Sequence, residues 1–202
     1  MSVRTVRHLH GFTLTELIVV TALLVVLGGG LLATFLTGQA SFVTSEAYIQ
    51  VQQEARRAFD NMVRELREAG GAGFPIVGGG GSQLDFQIAL GYNLAAPCPA
   101  NQVCWGAQDQ NGTNQSGWRV RYRLDNAAGQ LLRETLNGGG AVQGTARVLA
   151  NYVNGVTFAW DAASRVVTIN LQLRYASGRI AGGSQQMGNP TPLTTRVRLR
   201  NP

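Results

Sequence analysis

Three groups of residues have the type and spacing to do chemistry. The first is one carboxylate, Glu16, which follows Gly11-Phe12-Thr13-Leu14-Thr15 and stands at the threshold of an apolar run. From Leu17 to Leu36 there are 20 residues without a charge, about the length a helix needs to cross a bilayer. An acidic side chain in such a helix costs on the order of 2.5–3.5 kcal/mol at its centre and less near its end. An ordinary signal or anchor gains nothing from that cost. Glu16 is therefore either a tolerated interfacial acid or an acid with a partner.

The second group is Cys98 and Cys104, the only 2 cysteines, separated by Pro99-Ala100-Asn101-Gln102-Val103. Two thiols without a histidine cannot complete a structural zinc site. In an exported domain they are expected to form a disulfide, two free thiols being the alternative. Closing so short a loop stabilises by about 2–3 kcal/mol. The third group is two runs in which arginine alternates with apolar residues: Arg119, Arg121 and Arg123, then Arg196, Arg198 and Arg200. A strand puts every second side chain on one face, so each triplet shares a face. If the two strands lie on the same sheet face, six guanidiniums form a plate with no interleaved acid. Such a plate would hold a nucleic-acid backbone without reading its sequence. A solvated face, or pairing with carboxylates of a neighbouring subunit, is the competing reading.

Other chemistry is thinly provided. Both histidines, His8 and His10, precede Gly11, so a chain beginning at Phe12 has neither the usual general base nor the commonest metal ligand. The 11 carboxylates are scattered, with no pair placed as an acid–base couple. Gly78 to Gly81 lacks the lysine of a phosphate-binding loop and reads as a turn. No catalytic residue, metal or cofactor is expected, and the chain is not read as an enzyme. All 17 basic residues are arginine, and the net charge of +6 favours an acidic partner without naming one.

The elements that position these groups follow from periodicity. Residues 1–11 carry Arg4, Arg7, His8 and His10 and no acid, which favours a cytoplasmic N-terminus with the rest of the chain sent across. A helix is expected from residue 12, apolar over 12–38 and amphipathic over 39–71. Ala55, Phe59, Met62, Val63, Leu66 and Ala69 form its stripe, and Gly70-Gly71 is expected to stop it. Such a helix is about 87 Å long at the usual rise. Gly28-Gly29-Gly30 would weaken it by about 1 kcal/mol for each glycine, a kink or a break into two helices being the competing reading. Over 72–202 the period becomes two. Leu84 to Leu90, Trp118 to Leu124, Val167 to Tyr175 and Thr195 to Leu199 alternate, with shorter candidates at Leu131 to Leu136 and Val153 to Trp160. Asp125 to Gly129 reads as a hairpin connection. One long helix followed by antiparallel strands is an α+β fold, with the helix stripe as the natural cover of the sheet.

The run Gly11 | Phe12-Thr13-Leu14-Thr15-Glu16-Leu17, between a basic leader and 20 apolar residues, resembles the prepilin peptidase site of type IV pilins and type II secretion pseudopilins. The stretch from Gln53 to Gly70, with Val120 to Asp125 and Val197 to Asn201, is similar to PilW-type minor pilins and PulJ-type pseudopilins. Residues 78–115 follow no pattern of that subfamily. The resemblance implies cleavage after Gly11 and N-methylation of Phe12, with Glu16 neutralising the terminal amine of a neighbouring subunit. It further implies a single-pass inner-membrane protein that later joins a pilus or pseudopilus. Its partners would be prepilin peptidase, an inner-membrane assembly platform, and other major and minor pilins, with which it primes the filament and caps its tip. Two other classes stay open: a pilin-like protein that binds DNA or a surface, and a single-span anchored exported protein.

Overall fold

The computed structural model describes residues 13–173, 176–177, 185–186 and 192–200. The chain divides into two compact units, Met1–Ser45 and Glu46–Pro202. Helix α1, Leu14–Arg67, supplies residues to both.

In the first unit the segment Leu14–Gln39 has a mean hydropathy of 2.5 and none of it is buried. It is long and apolar enough to cross a membrane. Thr13 starts the helix, its hydroxyl accepting a hydrogen bond from the Glu16 amide at 3.3 Å, as an N-cap does. Thr13-Leu14-Thr15-Glu16 thus has the order of a capping box, and its acid also sits favourably at the positive end of the helix dipole. The hydroxyls within the segment are satisfied locally: Thr21 donates to the Leu17 carbonyl at 2.9 Å and Thr34 to the Leu31 carbonyl at 2.8 Å. The helix runs unbroken through Gly28-Gly29-Gly30, so the weak stretch does not become a kink or a break. Each of those glycines keeps its place in the intrahelical hydrogen-bond ladder, and with no alternative partner nearby the ladder outweighs about 1 kcal/mol of glycine propensity.

In the second unit the helix has a buried stripe. Val51, Ala55, Ala58, Met62 and Leu66 recur every three or four residues and are buried, while Phe59 and Val63 flank them partly buried. The helix ends at Arg67, ahead of the expected glycine stop, because Ala69–Gly70 instead forms a strand, β1. The strands that follow are β2 (Ile76–Gly78), β3 (Gln83–Tyr92), β4 (Val103–Gln108), β5 (Asn114–Ser116), β6 (Arg119–Asp125), β7 (Gln130–Leu136), β8 (Val142–Ala150), β9 (Val153–Asp161), β10 (Val166–Leu173), β11 (Ala176–Ser177), β12 (Gln185–Gln186) and β13 (Pro192–Arg198). Tyr175, expected at the end of a strand, lies outside the described residues.

Every pairing among the described residues is antiparallel. The large sheet has the order β5-β4-β3-β6-β7-β8, and a second sheet has the order β13-β10-β9. Strand β3 is the hinge of the large sheet: residues 83–85 lie between β2 and β6, Gln87 and Ile88 pair β1, and residues 88–92 pair β4. The β6–β7 hairpin turns at Asp125, whose carboxylate accepts from the Ala127 and Ala128 amides at 3.0 and 3.3 Å. Gly129 closes it at φ +62°, a conformation glycine adopts without steric cost. A long helix with antiparallel sheets makes the fold α+β.

The core joins the helix stripe to Leu84 and Phe86 of β3, Val120 and Tyr122 of β6, and Leu131 of β7. The second sheet adds Val156, Phe158, Val167, Ile169, Leu171 and Val197 to the same core. Tyr122 is the meeting point. Its ring lies 5.1 Å from Phe86 and 6.5 Å from Phe158, and its hydroxyl donates to Glu65 of the helix at 2.8 Å. Arg133 of β7 donates to both oxygens of the same carboxylate at 3.0 Å. A second helix carboxylate, Glu54, accepts from the Asn151 amide at 3.0 Å. These polar ties sit at the edge of an apolar contact and fix its register.

Burial, and secondarily the Glu65 charge, push the Tyr122 phenol well above its ordinary value. Because the folded chain holds this proton more tightly than the unfolded chain, the group's stabilisation is complete below about pH 10, the unfolded value. It is lost as the pH rises toward the folded value, by about 1.4 kcal/mol per pH unit. Urea unfolding of the full chain in detergent, followed by tryptophan fluorescence, is expected to show Tyr122→Phe less stable than wild type near pH 8 by about 1.5–3 kcal/mol, the range for a hydrogen bond to a charged group. Above about pH 10 the two unfolding curves converge. Parallel curves would mean that the phenol proton is not linked to folding.

Candidate functional site

The two arginine triplets have different surroundings. On β6, Arg119, Arg121 and Arg123 share the face opposite the core, as the alternation requires. Strand pairing sets Arg121 between Asp85 of β3 and Glu134 of β7. Arg121 grips Asp85 through two bonds, Nε to Oδ1 at 2.7 Å and Nη2 to Oδ2 at 2.8 Å. Arg123 donates to Glu134 at 2.6 Å. Arg119 reaches Asp85 at 3.9 Å, and its guanidinium stands 5.9 Å from the Phe74 ring centre. Both acids are only 4% exposed, so the arginine stems cover the carboxylates that neutralise them. The bond to Asp85 raises the Arg121 guanidinium, and the bond to Glu134 raises Arg123. This face is a closed ion network and not a bare plate.

Strand β13 lies in the other sheet. The six arginines therefore do not form the single plate that two strands of one sheet would give. The acids that neutralise the β6 triplet come from neighbouring strands, which the run Arg119 to Arg123 does not contain. Arg196 and Arg198 are exposed on β13 and Arg200 is exposed just beyond it. Among the described residues these three have no ion pair.

Cys98 and Cys104 form a disulfide, with their Cα atoms 5.2 Å apart. It closes the connection between β3 and β4, a mostly exposed loop anchored at one end by buried Cys104. Asn93 adds a second tie: its amide donates to the Gln102 carbonyl at 3.0 Å, and its side chain accepts from the Asn101 amide at 3.0 Å. The bridge stiffens the mouth of a hairpin.

Gly11 and Phe12 lie outside the described residues. Glu16 sits in the exposed first turn of α1, held near Thr13 as described above. Gly78 ends β2 and Gly79–Gly81 forms a 3₁₀ turn leading directly into β3, so no helix N-terminus is offered there to a phosphate. Among the described residues no group of three or more His, Cys, Asp or Glu side chains is placed to hold a metal ion. The partners Asp85, Glu134 and Glu65 were not signalled by the sequence around the residues they serve. The Thr13 cap was missed as well, although its Thr-x-x-Glu spacing is a signal that could have found it.

Comparison of the chain with family models, with curated proteins and with solved structures gives no match.

Removing a buried carboxylate from under two arginines leaves their charge without a partner. Asp85→Asn is expected to cost about 2–3 kcal/mol in urea unfolding, below the usual 3–5 for a fully buried pair because Arg121 is partly solvated. Arg123→Gln leaves the buried Glu134 carboxylate with Arg121 still opposite it across the strand pair, and is expected to cost less. Equal costs would mean that Arg121 does not compensate Glu134 once Arg123 is gone.

Proposed function

We propose that this chain is a minor type IV pilin or pseudopilin, a filament subunit staged in the inner membrane. The observation that carries the reading is a helical segment, Leu14–Gln39, apolar along its length and unburied, with a single carboxylate, Glu16, in its first turn. A segment of that kind needs an apolar environment on all sides. Lipid supplies it first, and helices of other subunits supply it afterwards. In either setting an unpaired carboxylate is costly, and a close opposite charge offsets much of that cost.

Cleavage between Gly11 and Phe12 by prepilin peptidase creates such a charge four residues before Glu16, on every subunit. Small Gly11 suits a tight protease subsite, and N-methylated Phe12 keeps a cationic amine. Glu16 of one subunit then meets the terminal amine of its neighbour. The basic residues ahead of Gly11 hold the N-terminus in the cytoplasm while the second unit, with its disulfide, lies on the oxidising side. In this reading the chain joins other minor pilins on the assembly platform, primes the filament and sits at its tip.

Intact-mass analysis of the membrane-purified chain is expected to show loss of the first 11 residues and gain of one methyl. Gly11→Val is expected to accumulate as precursor. A mature N-terminus near Ala40 would instead make the apolar segment a secretory signal.

Glu16 is also placed to support the Thr13 cap, so two variants separate its roles. Glu16→Val loses the charge and the capping group, whereas Glu16→Gln can still cap but carries no charge. Both are expected to be cleaved normally and to fall at least about tenfold in filament incorporation, the scale of an uncompensated charge. Wild-type incorporation of Glu16→Gln would leave the residue as a helix cap and nothing more.

A further inference from the structure

Arginines from three places in the sequence converge on one hollow of the second unit. Arg67 is the last residue of α1, Arg165 stands at the β9–β10 turn, and Arg196, Arg198 and Arg200 belong to β13 and its end. With Val197 and Leu199 they line a cleft of about 620 Å³. The Leu199 amide donates to the Arg165 carbonyl at 3.0 Å, and Arg198 pairs across the sheet with Val166, so backbone bonds hold the turn against β13. Val197 and Leu199 are buried in the core, which leaves guanidinium as the chemistry the cleft presents.

None of these five arginines has an ion pair among the described residues. An adjoining hollow adds Arg64 with the carboxylates Asp60 and Glu68, so six arginines face two acids across both. Asp161 lies in the same cross-strand row as Arg198. Its carboxylate is already engaged, by the Ala163 amide at 3.0 Å and the Ser164 hydroxyl at 2.5 Å.

We propose that this cleft binds the phosphate backbone of duplex DNA. Arg196 and Arg198 project from one side of a strand about 6.7 Å apart, close to the separation of neighbouring phosphates along a nucleic-acid strand. Guanidinium matches phosphate through two parallel bonds. The lining contains no aromatic residue, so the stacking platforms by which single strands are held are missing. Its apolar residues, Val197 and Leu199, are buried in the core, so it presents no exposed apolar or aromatic anchor of the kind around which protein interfaces are built. Arg121 of the β6 triplet shows what an arginine matched to a carboxylate looks like in this fold: bidentate, partly covered and paired. The β13 group has the opposite character. The proposal does not depend on the assembly reading, since a chain that never enters a filament would present the same cleft.

The test uses the full chain in detergent micelles, a fluorescent duplex of roughly 30 base pairs, and salt at about 50 and 200 mM. Wild type is expected to bind at low salt and to weaken steeply at high salt. Arg196→Gln/Arg198→Gln is expected to lower low-salt affinity at least about tenfold and to flatten the log–log salt slope by about 1.8, roughly 0.9 for each phosphate no longer neutralised. Arg147→Gln, an exposed arginine of β8, is expected to leave both unchanged. If the double variant melts lower than wild type, Arg200→Gln, outside the strand, is the substitute, with about half the slope change. Absence of binding at low salt, or an equal loss in Arg147→Gln, overturns the proposal. So does more effective displacement of the duplex by poly-glutamate, by a single-stranded oligonucleotide or by phosphatidylglycerol micelles at equal charge, each of which would give the cleft a different occupant.

Discussion

The face of the large sheet that carries Leu84, Phe86, Val120, Tyr122 and Leu131 cannot be left in water, and the stripe of α1 is what covers it. The stripe is built from small and flexible residues, Ala55, Ala58, Met62 and Leu66, all fully buried. Alanines let the helix approach closely, and methionine fills the irregular gap that a twisted sheet leaves. The contact alone would tolerate sliding. Glu65 prevents it by taking Tyr122 from β6 and Arg133 from β7 at once. An apolar contact supplies the driving force, and one carboxylate at its margin selects the register.

The chain uses its arginines in two ways that composition does not separate. On the outer face of β3, β6 and β7 they are matched to Asp85 and Glu134, and their stems shield those acids. Around β13 they gather with few acids nearby. Of 17 basic residues against 11 acidic ones, those of the first kind contribute little outward field, because each is offset within a few ångströms. The second kind sets what an approaching partner meets. A net charge of +6 is therefore a poor guide to where this surface is basic.

How much was legible follows the same division between local and long-range information. Strands β6, β9, β10 and β13 alternate because one face of each is buried, and the helix stripe reads at its expected spacing for the same reason, whereas β3 and β7 are buried on both faces over part of their length. Strand β8 is an edge strand, exposed along most of its length, so no buried face imposes a period on Val142 to Ala150. Strand β5 is three polar residues and β4 mixes Val103 and Trp105 with Gly106 and Gln108, and both are held by backbone pairing that leaves no mark in side-chain pattern. The helix stop was misplaced because Ala69–Gly70 finds strand partners in Gln87 and Ile88, residues a local reading does not connect to it. The same holds for the arginines of β6: their acids lie 36 and 11 residues away in sequence, brought beside them only by strand register.

The layout of the second sheet bears on how the chain comes to be folded. Val197 packs into the same core as Leu66, yet it arrives with β13, the partner that pairs β10 on the side away from β9. At about 5–20 residues per second of synthesis, the intervening stretch takes on the order of ten seconds to appear. Throughout that interval the helix stripe is complete and the surface it belongs against is not. An amphipathic helix with a bare greasy side is the kind of segment that holding factors recognise or that associates with the wrong neighbour. Strand β13 therefore closes a core whose first element was made long before it, and the side of the helix that waits for it is a liability until then.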